Sequence, residues 1–321
     1  MKEITLFTLN TPYRQELSVK AWHFGHSEKK SLAVVGALRG NELQQMYSCS
    51  QLIQALRRLE ADGALSPDCG VLVVPCANQF SMNVGRRFWA ADNTDINRMF
   101  PGYIEGETTQ RIAARIFEAL KGYKYGVQMA SFYLPGDFLP HVRMMETGYE
   151  NIDDAYDFGL PYVILRKPQP YDTTTLNYNW QIWETQAFSL YTRETDCIDI
   201  NSAKVAVNSV FRFMHRKGFT FKKEPSSASK SLFFRESELH TVLSKAGGLF
   251  LRVHAPGDFV REGETLADIL DACTGEIIEE LKSDCSGHVF FAHKAQLIAG
   301  HEVAFRIMPD RRRCRTSSNV L

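Results

Sequence analysis

The sequence predicts an α/β protein with a mixed, mostly parallel sheet flanked by helices, plus a small C-terminal all-β module. Two apolar runs, Ser31–Leu38 and Gly70–Cys76, enclose a segment whose apolar residues fall near helical spacing. A second helical pattern, Thr109–Leu120, extends this strand–helix alternation, which favours a parallel sheet. From Leu249 onward, short strand-like runs alternate with turn residues, the pattern of an all-β module.

The remaining elements of the α/β part follow in order. The N-terminal ten residues alternate like a strand, and Tyr125–Leu134 after the second helix also has strand character. A further strand is predicted at Phe188–Asp196, and a helix at Ala203–Arg216 ends at Gly218. These elements predict a domain spanning residues 1–225.

The second part of the chain follows a charged, Ser-rich segment with one proline, Phe221–Ser231, which has the composition of a linker. We therefore predict an all-β barrel-sandwich module at residues 226–310 and a basic tail at 311–321. The module resembles biotinyl and lipoyl carriers, but its turn at Leu270–Ile277 has no lysine to modify. A packing or oligomer-forming role is expected instead.

Composition excludes several classes of partner. The 321 residues carry 37 basic and 37 acidic side chains, so no bulk charge favours nucleic acid or an anionic membrane. We expect a small carboxylate-bearing ligand and no nucleic-acid or membrane partner. The sequence is compatible with a homo-oligomer. The seven cysteines form no C-x-x-C pair, and no leader or long apolar stretch is present, which predicts reduced thiols and a cytoplasmic location.

Three motifs carry a family resemblance: RGNE at Arg39–Glu42, the segment Asn78–Gly102 ending in DINRMFPG, and VQMAS at Val127–Ser131. In this order they resemble the succinylglutamate desuccinylase/aspartoacylase family, which has a zinc carboxypeptidase-like (M14 metallopeptidase-type) fold. The resemblance covers most of the first domain. It implies a metal-dependent hydrolase acting on amide C–N bonds.

The resemblance also implies roles for individual residues. Asn97 and Arg98 would bind a substrate carboxylate, which a planar guanidinium can pair with through two hydrogen bonds. Arg87, next to Arg86, would polarise the scissile carbonyl, and Glu194 would act as general base. In the alternative interpretation, Arg98 pairs with a nearby aspartate, Asp95 or Asp92, and Glu194 is an ion-paired carboxylate at a strand end.

The zinc ligands that the family implies, two histidines and a glutamate, are largely absent. Of the three ligand positions, only that of Glu42 holds a residue that can coordinate zinc. Arg39 and Ala130 stand at the two histidine positions, and Gln128 replaces a supporting aspartate. A guanidinium has no lone pair for a metal, and one carboxylate binds zinc weakly. No cofactor is therefore expected, and zinc would bind only if another residue rescues the site. His141 is the best rescue candidate, although a pocket-lining role fits it better.

Loss of the metal would leave carboxylates facing each other. We therefore predict an ion pair from Arg39 to Glu42 or to Glu194 at the former metal position. The sequence favours a non-classical or inactive zinc hydrolase that keeps a carboxylate pocket. The alternative is an active amide hydrolase of the deacylase or carboxypeptidase type, with a rearranged metal site or metal-free chemistry.

Overall fold

A computed structural model describes residues 1–10, 16–193, 195–223 and 229–310. It divides into two compact units, of which the first contains residues 1–131 and 140–233 and the second residues 132–139 and those from Phe234 onward. Among the described residues, no helix combines the length and apolarity needed to cross a lipid bilayer.

The first unit is built on a nine-stranded sheet, with strands numbered along the whole chain. Its strands are β1 (Lys2–Leu9), β2 (Leu17–Gly25), β3 (Leu32–Ala37), β4 (Gly70–Cys76), β5 (Tyr125–Met129), β7 (His141–Met145), β8 (Tyr162–Arg166), β9 (Gln186–Tyr191) and β10 (Leu232–Arg235). They lie in the order β1-β2-β4-β3-β5-β9-β7-β8-β10. Strands β4, β3, β5 and β9 are parallel neighbours, as are β7 and β8, whereas β1–β2, β2–β4 and β7–β9 are antiparallel. The predicted mixed α/β fold is confirmed.

Helices cover both faces of this sheet. They are α1 (Leu43–Ala61), α2 (Gln79–Asn83), α3 (Thr108–Leu120), α4 (Ile152–Tyr156), α5 (Leu176–Ile182) and α6 (Ile200–Arg216). Because side chains alternate along a strand, Val34 of β3 packs in the cluster with α1 and α6, and Val35 packs in the cluster with α3 and α5. Both faces of β3 are therefore buried, which explains its continuous apolar sequence.

Two predicted strands are shorter than expected. The predicted strand Tyr125–Leu134 ends at Met129, after which Ala130 donates its N–H to Leu190 O and the chain leaves the sheet. The predicted strand at Phe188–Asp196 ends at Tyr191. Tyr191 is followed by polar residues, whereas the apolar residues after Ser131 belong to the second unit.

The second unit consists of short antiparallel strands. They are β6 (Gly136–Phe138), β11 (His240–Leu243), β12 (Gly248–Arg252), β13 (Phe259–Val260), β14 (Thr265–Leu270), β15 (Ile277–Lys282), β16 (Gly287–His293), β17 (Leu297–Ile298) and β18 (Val303–Pro309). One sheet has the order β11-β18-β16-β13, with β6 also paired to β16, and the other has the order β15-β14-β12-β17. Residues 132–139 lie in this unit, whereas the sequence-based division placed them in the first domain. Long-range contacts assign them, among them the pairing of β6 with β16, and a local sequence pattern cannot show such contacts.

Candidate functional site

The candidate site begins at the turn between β3 and α1. Gly40 packs tightly there, since a Cβ at this position would lie 2.2 Å from Arg86 O and 2.7 Å from Met82 N. The Gly40 N–H donates to Arg87 O at 2.8 Å. A glycine is thus required for the segment that carries Arg86 and Arg87 to approach this turn.

Glu42 is the last residue before α1, and the residue is 1% exposed. Oε2 accepts from the backbone N–H groups of Leu38 at 2.8 Å and Arg39 at 3.1 Å. Oε1 accepts from Arg39 Nη1 at 3.1 Å and from the Ser131 hydroxyl. A carboxylate has about four acceptor directions, and this one uses two at each oxygen.

Arg39 lies between two carboxylates and is 6% exposed. Besides the Glu42 contact, its Nε and Nη2 both donate to Asp95 Oδ2, at 3.0 and 2.8 Å. The predicted Arg39–Glu42 ion pair is therefore present. Burial opposes the charge, but the attraction of Glu42 and Asp95 outweighs it and raises the Arg39 pKa above its ordinary value. Removing one member of such a buried pair typically costs about 3–5 kcal/mol.

The end of β5 supplies the neighbouring wall of the site. Ala130 is buried, and its carbonyl accepts from Gln45 Nε2 at 3.2 Å. The next residue, Ser131, provides the hydroxyl that reaches Glu42. Gln128, on β5 itself, is also buried. The methyl group of Ala130 offers no donor atom for a metal.

Arg87 lies within electrostatic range of this network. Burial lowers the pKa of Arg87, the charge of Arg39 lowers it further, and Asp95 and Glu42 act in the opposite direction. Its guanidinium also lies over the Phe88 ring, 5.2 Å from the centroid. The described network thus brings two guanidinium groups near two carboxylates.

The predicted carboxylate-binding pair, Asn97 and Arg98, lies on a 3₁₀ turn capped by Asp95, whose Oδ1 accepts from Asn97 N at 3.0 Å. Asn97 is 7% exposed, and its Oδ1 accepts from Leu176 N at the start of α5. Asp95 therefore serves both this turn and Arg39. The alternative Arg98–Asp95 and Arg98–Asp92 pairs are wrong: Asp95 faces Arg39, and Arg98 faces Asp172.

Arg98 contacts a different aspartate. Its Nη1 donates to Tyr171 O and lies 3.6 Å from Asp172 Oδ1, and its guanidinium lies over the Tyr171 ring, 5.4 Å from the centroid. Arg166 Nη2 approaches the other oxygen of Asp172 at 3.1 Å. The Arg98 side chain is 31% exposed and thus accessible to a solute.

His141, on β7, lies in a tight aromatic stack. It is 1% exposed, and its ring lies parallel to that of Tyr191 at 4.5 Å, while the Arg143 guanidinium lies over the same tyrosine ring at 4.6 Å. No group of three potential ligands in the described ranges includes either His141 or Glu42. The predicted general base, Glu194, lies outside the described residues, as does any Arg39–Glu194 contact.

Sequence reasoning missed several residues of the site, namely Ser131, Arg166, Tyr171 and Asp172, and it considered Asp95 only as a partner of Arg98. Asp95 stands two residues before Asn97 in the DINR sequence, a spacing suited to capping the following turn, and this signal was available. The others lie far from Arg39 and Arg98 in sequence, so no local pattern identifies them.

These features define a mixed α/β protein whose candidate site joins the β3–α1 turn to the Asp95–Gly102 segment. A profile of the succinylglutamate desuccinylase/aspartoacylase catalytic domain matches residues 28–190, about half of the chain. The chain therefore belongs to the succinylglutamate desuccinylase/aspartoacylase family. Comparison with curated proteins gives no significant match.

Solved structures of similar fold agree with this assignment. A succinylglutamate desuccinylase from Silicibacter sp. TM1040 is 18% identical, with a TM-score of 0.80 over 95% of this chain and 94% of that one. The ectoine utilization protein EutE from Ruegeria pomeroyi is 17% identical, with a TM-score of 0.78 over 92% and 90% of the two chains. A succinylglutamate desuccinylase/aspartoacylase from Rhodobacter sphaeroides is 18% identical, with a TM-score of 0.76 over 92% and 90%. At these identities the likeness concerns the fold.

Proposed function

We propose that this protein binds a small carboxylate-bearing ligand, of the N-acyl amino acid type, and does not hydrolyse amides by zinc chemistry. The observation that carries the proposal is the Arg39 guanidinium, which contacts Glu42 and Asp95 at the turn where the family resemblance implies a metal. A fixed guanidinium can stabilise negative charge, but it cannot generate a metal-activated water.

The residues at the implied zinc positions do not fit zinc. Zinc sites use imidazole, thiolate or carboxylate donors, and catalytic sites usually have three such ligands. Here Arg39 and Ala130 provide none, and the two oxygens of Glu42 already accept four hydrogen bonds. Coordination by Glu42 would break contacts that hold a buried carboxylate, which is costly.

The arrangement around Arg98 supports carboxylate binding. Its aspartate neighbour, Asp172, stays 3.6 Å away and is nearer to Arg166. In the described part of the chain, no hydrogen bond engages Arg98 Nε or Nη2, so these donors could pair with an incoming carboxylate. The proposal includes ligand-binding roles for Asn97, Arg98 and His141. Arg87 and Glu194 stand at positions to which the family resemblance assigns catalytic roles, and any role of theirs here is likewise a proposal.

A calorimetric titration tests ligand binding. We expect N-acetyl-L-aspartate or N-succinyl-L-glutamate to bind and the corresponding amide-capped, uncharged compound to bind more weakly. Arg98→Gln should weaken binding about tenfold or more, because a hydrogen bond to a charged group contributes about 1.5–3 kcal/mol. Arg115→Gln, at an exposed position on α3, removes the same charge and should leave affinity unchanged.

An amide-hydrolysis assay on the same compounds tests the second half of the proposal. We expect no release of the free amino acid, with or without added zinc. Chelator-sensitive release would instead support the alternative, an amide hydrolase with a rearranged metal site. If no carboxylate ligand binds, or if Arg115→Gln weakens binding as much as Arg98→Gln, the binding proposal is wrong.

A further inference from the structure

Three side chains of metal-ligating type converge in the second unit. His240 is the first residue of β11, and Asp284 and Cys285 form the connection between β15 and β16. One potential ligand atom from each residue lies within 4.8 Å of the other two. In the described ranges of the chain, this is the one such group of three.

Hydrogen bonds hold both sides of the turn that carries Asp284 and Cys285. On one side, Ser283 donates its N–H to Glu264 O at 2.9 Å, and its hydroxyl donates to Cys285 O at 2.6 Å. On the other side, Ser286 O accepts from Asp310 N at 3.1 Å. The turn that carries the two ligands is thus pre-organised, which reduces the entropy lost when they bind an ion.

The spacing between His240 and Asp284 matches that of a zinc site. His240 Nδ1 and Asp284 Oδ2 are 3.4 Å apart. Tetrahedral zinc, with bonds of about 2.0–2.1 Å to nitrogen or oxygen and about 2.3 Å to sulfur, separates its ligand atoms by about 3.3–3.6 Å. The three ligand atoms lie within 4.8 Å of one another, so they are at most about 1.2 Å farther apart than in such a site. His240 and Asp284 have exposed side chains, 45% and 55%, which can rotate to close the gap.

His254, in the same unit, also lies close to carboxylates but does not form such a group. His254 approaches Asp258 through Nδ1 at 3.5 Å and Glu264 through Nε2 at 3.3 Å. The two ring nitrogens point in different directions, so the two carboxylates cannot share one ion with this imidazole. The His240 group differs because a thiol completes it.

We propose that His240, Asp284 and Cys285 form a surface site for one divalent cation of the zinc type. An imidazole, a carboxylate and a thiolate select a borderline-soft ion over Ca²⁺ or Mg²⁺, which prefer oxygen ligands. Three protein ligands leave a fourth position for water. On binding, the Cys285 thiol releases its proton to solvent and a metal–sulfur bond forms, so affinity rises with pH.

Few other thiols can compete for the ion. Cys49, Cys69 and Cys76 are buried, and burial raises the pKa of Cys69 and Cys76 to about 12, so they stay protonated. Cys197 and Cys273 are exposed. Cys314 lies outside the described residues. These three cysteines therefore need to be controlled in an experiment.

The test uses the full chain with Cys197, Cys273 and Cys314 all replaced by serine, titrated with Co²⁺ and, by calorimetry, with Zn²⁺. We expect one ion per chain and a thiolate-to-cobalt charge-transfer band. His240→Ala, Asp284→Ala and Cys285→Ser should each weaken binding at least about tenfold. Even the replacement of residues that hydrogen-bond to metal ligands has an effect of this size. His254→Ala is the matched control and should leave affinity unchanged.

Two results would overturn the proposal. One is an absence of thiolate charge transfer in the parent protein, and the other is equal affinity in the parent and the His240→Ala protein. Because His240 is exposed, its replacement keeps the test informative even if Cys285→Ser fails to fold. Carboxylate binding and amide hydrolysis involve other residues, so failure here leaves the proposed function untouched.

Discussion

Arg39 pairs with two carboxylates from a fixed position, Glu42 at the β3–α1 turn and Asp95 at the start of the 3₁₀ turn. Its three donor nitrogens contact Glu42 and Asp95 at 2.8–3.1 Å, so its planar fork joins two chain segments that are far apart in sequence. A lysine would carry the same charge without this fork. The identity of the residue matters here as well as its charge.

The residues at this turn predict the outcome of a double substitution. Arg39→His with Ala130→His would place two imidazoles beside Glu42, the ligand types of a catalytic zinc site. We expect the double variant to bind one zinc ion that the parent does not bind, measured by elemental analysis after dialysis. A Cys285→Ser background keeps the surface thiol from contributing to the count.

The matched control for this experiment is Arg39→His alone, which supplies one histidine and should bind zinc much more weakly. If the double variant gains no zinc while remaining folded by circular dichroism, then positions 39, 42 and 130 do not converge as proposed. The former metal position would then have to be sought elsewhere.

At the residue scale, the sequence predicted one contact of Arg39 and missed the other. The Arg39–Glu42 pair was one of the two expected where a lost metal would leave carboxylates facing each other, and its members are three residues apart. The Asp95 contact crosses 56 residues, and only the close approach at Gly40 allows the two segments to meet. Tertiary packing of this kind leaves no periodic signal in one sequence.

At the scale of elements, α6 begins with a capped and titratable N-terminus. Asp199 Oδ1 accepts from Asn201 N at 2.7 Å and Ser202 N at 3.1 Å. The hydrogen bond from Ser202 N–H, followed by that from Asn201 N–H, lowers the pKa of Asp199 below its ordinary value of 3.8. Both hydrogen bonds favour the charged carboxylate.

We therefore expect Asp199→Ala to lower the free energy of unfolding by about 1 kcal/mol near neutral pH, the usual value of an N-cap. Because the folded pKa lies below the unfolded one, the stabilisation by charge is complete above pH 3.8 and is lost as pH falls through the folded pKa. Urea unfolding at several pH values measures both effects.

Asp199→Asn is the control, because asparagine caps helices about as well as aspartate but does not titrate. It should keep most of the neutral-pH stability and lose the acid-dependent part. An Asn variant as unstable as the Ala variant would show that the contribution of Asp199 is not capping.

The order of elements was largely predictable, and their ends were less so. Continuous apolar sequence identified β3 and β4, because both faces of the sheet are covered by helices. Helical spacing of apolar residues identified α1. Strand β5 ended earlier than predicted because the chain leaves the sheet after Ala130. Apolar residues beyond this point, including Phe132, pack in the second unit instead.

At the scale of the whole molecule, the second unit is discontinuous in sequence. Asp137 of β6 is 4% exposed, and it pairs with Arg252 Nη1 at 3.0 Å and Lys294 Nζ at 3.5 Å. These contacts tie the segment 132–139 to strands that lie over a hundred residues later in the chain. A cut based on sequence position alone would separate them.

We expect Asp137→Ala to destabilise the second unit by about 1.5–3 kcal/mol, the range for hydrogen bonds to charged groups. Hydrogen exchange followed by mass spectrometry should show faster exchange in β12 and β16. Glu280→Ala, which removes an exposed pair with Lys282, should cost less than about 1 kcal/mol. Equal exchange in both variants would mean that Asp137 contributes no more than a surface charge.

The glycine at position 40 and the arginine beside it give the turn a cation that is built into the polypeptide. A bound ion has a dissociation constant, so its presence depends on supply, on chelators and on competing metals. The Arg39 guanidinium has none of these dependences, and it stays charged across the physiological pH range. Glu42 and Asp95 therefore share a cationic partner in every folded molecule, whatever the metal content of its surroundings.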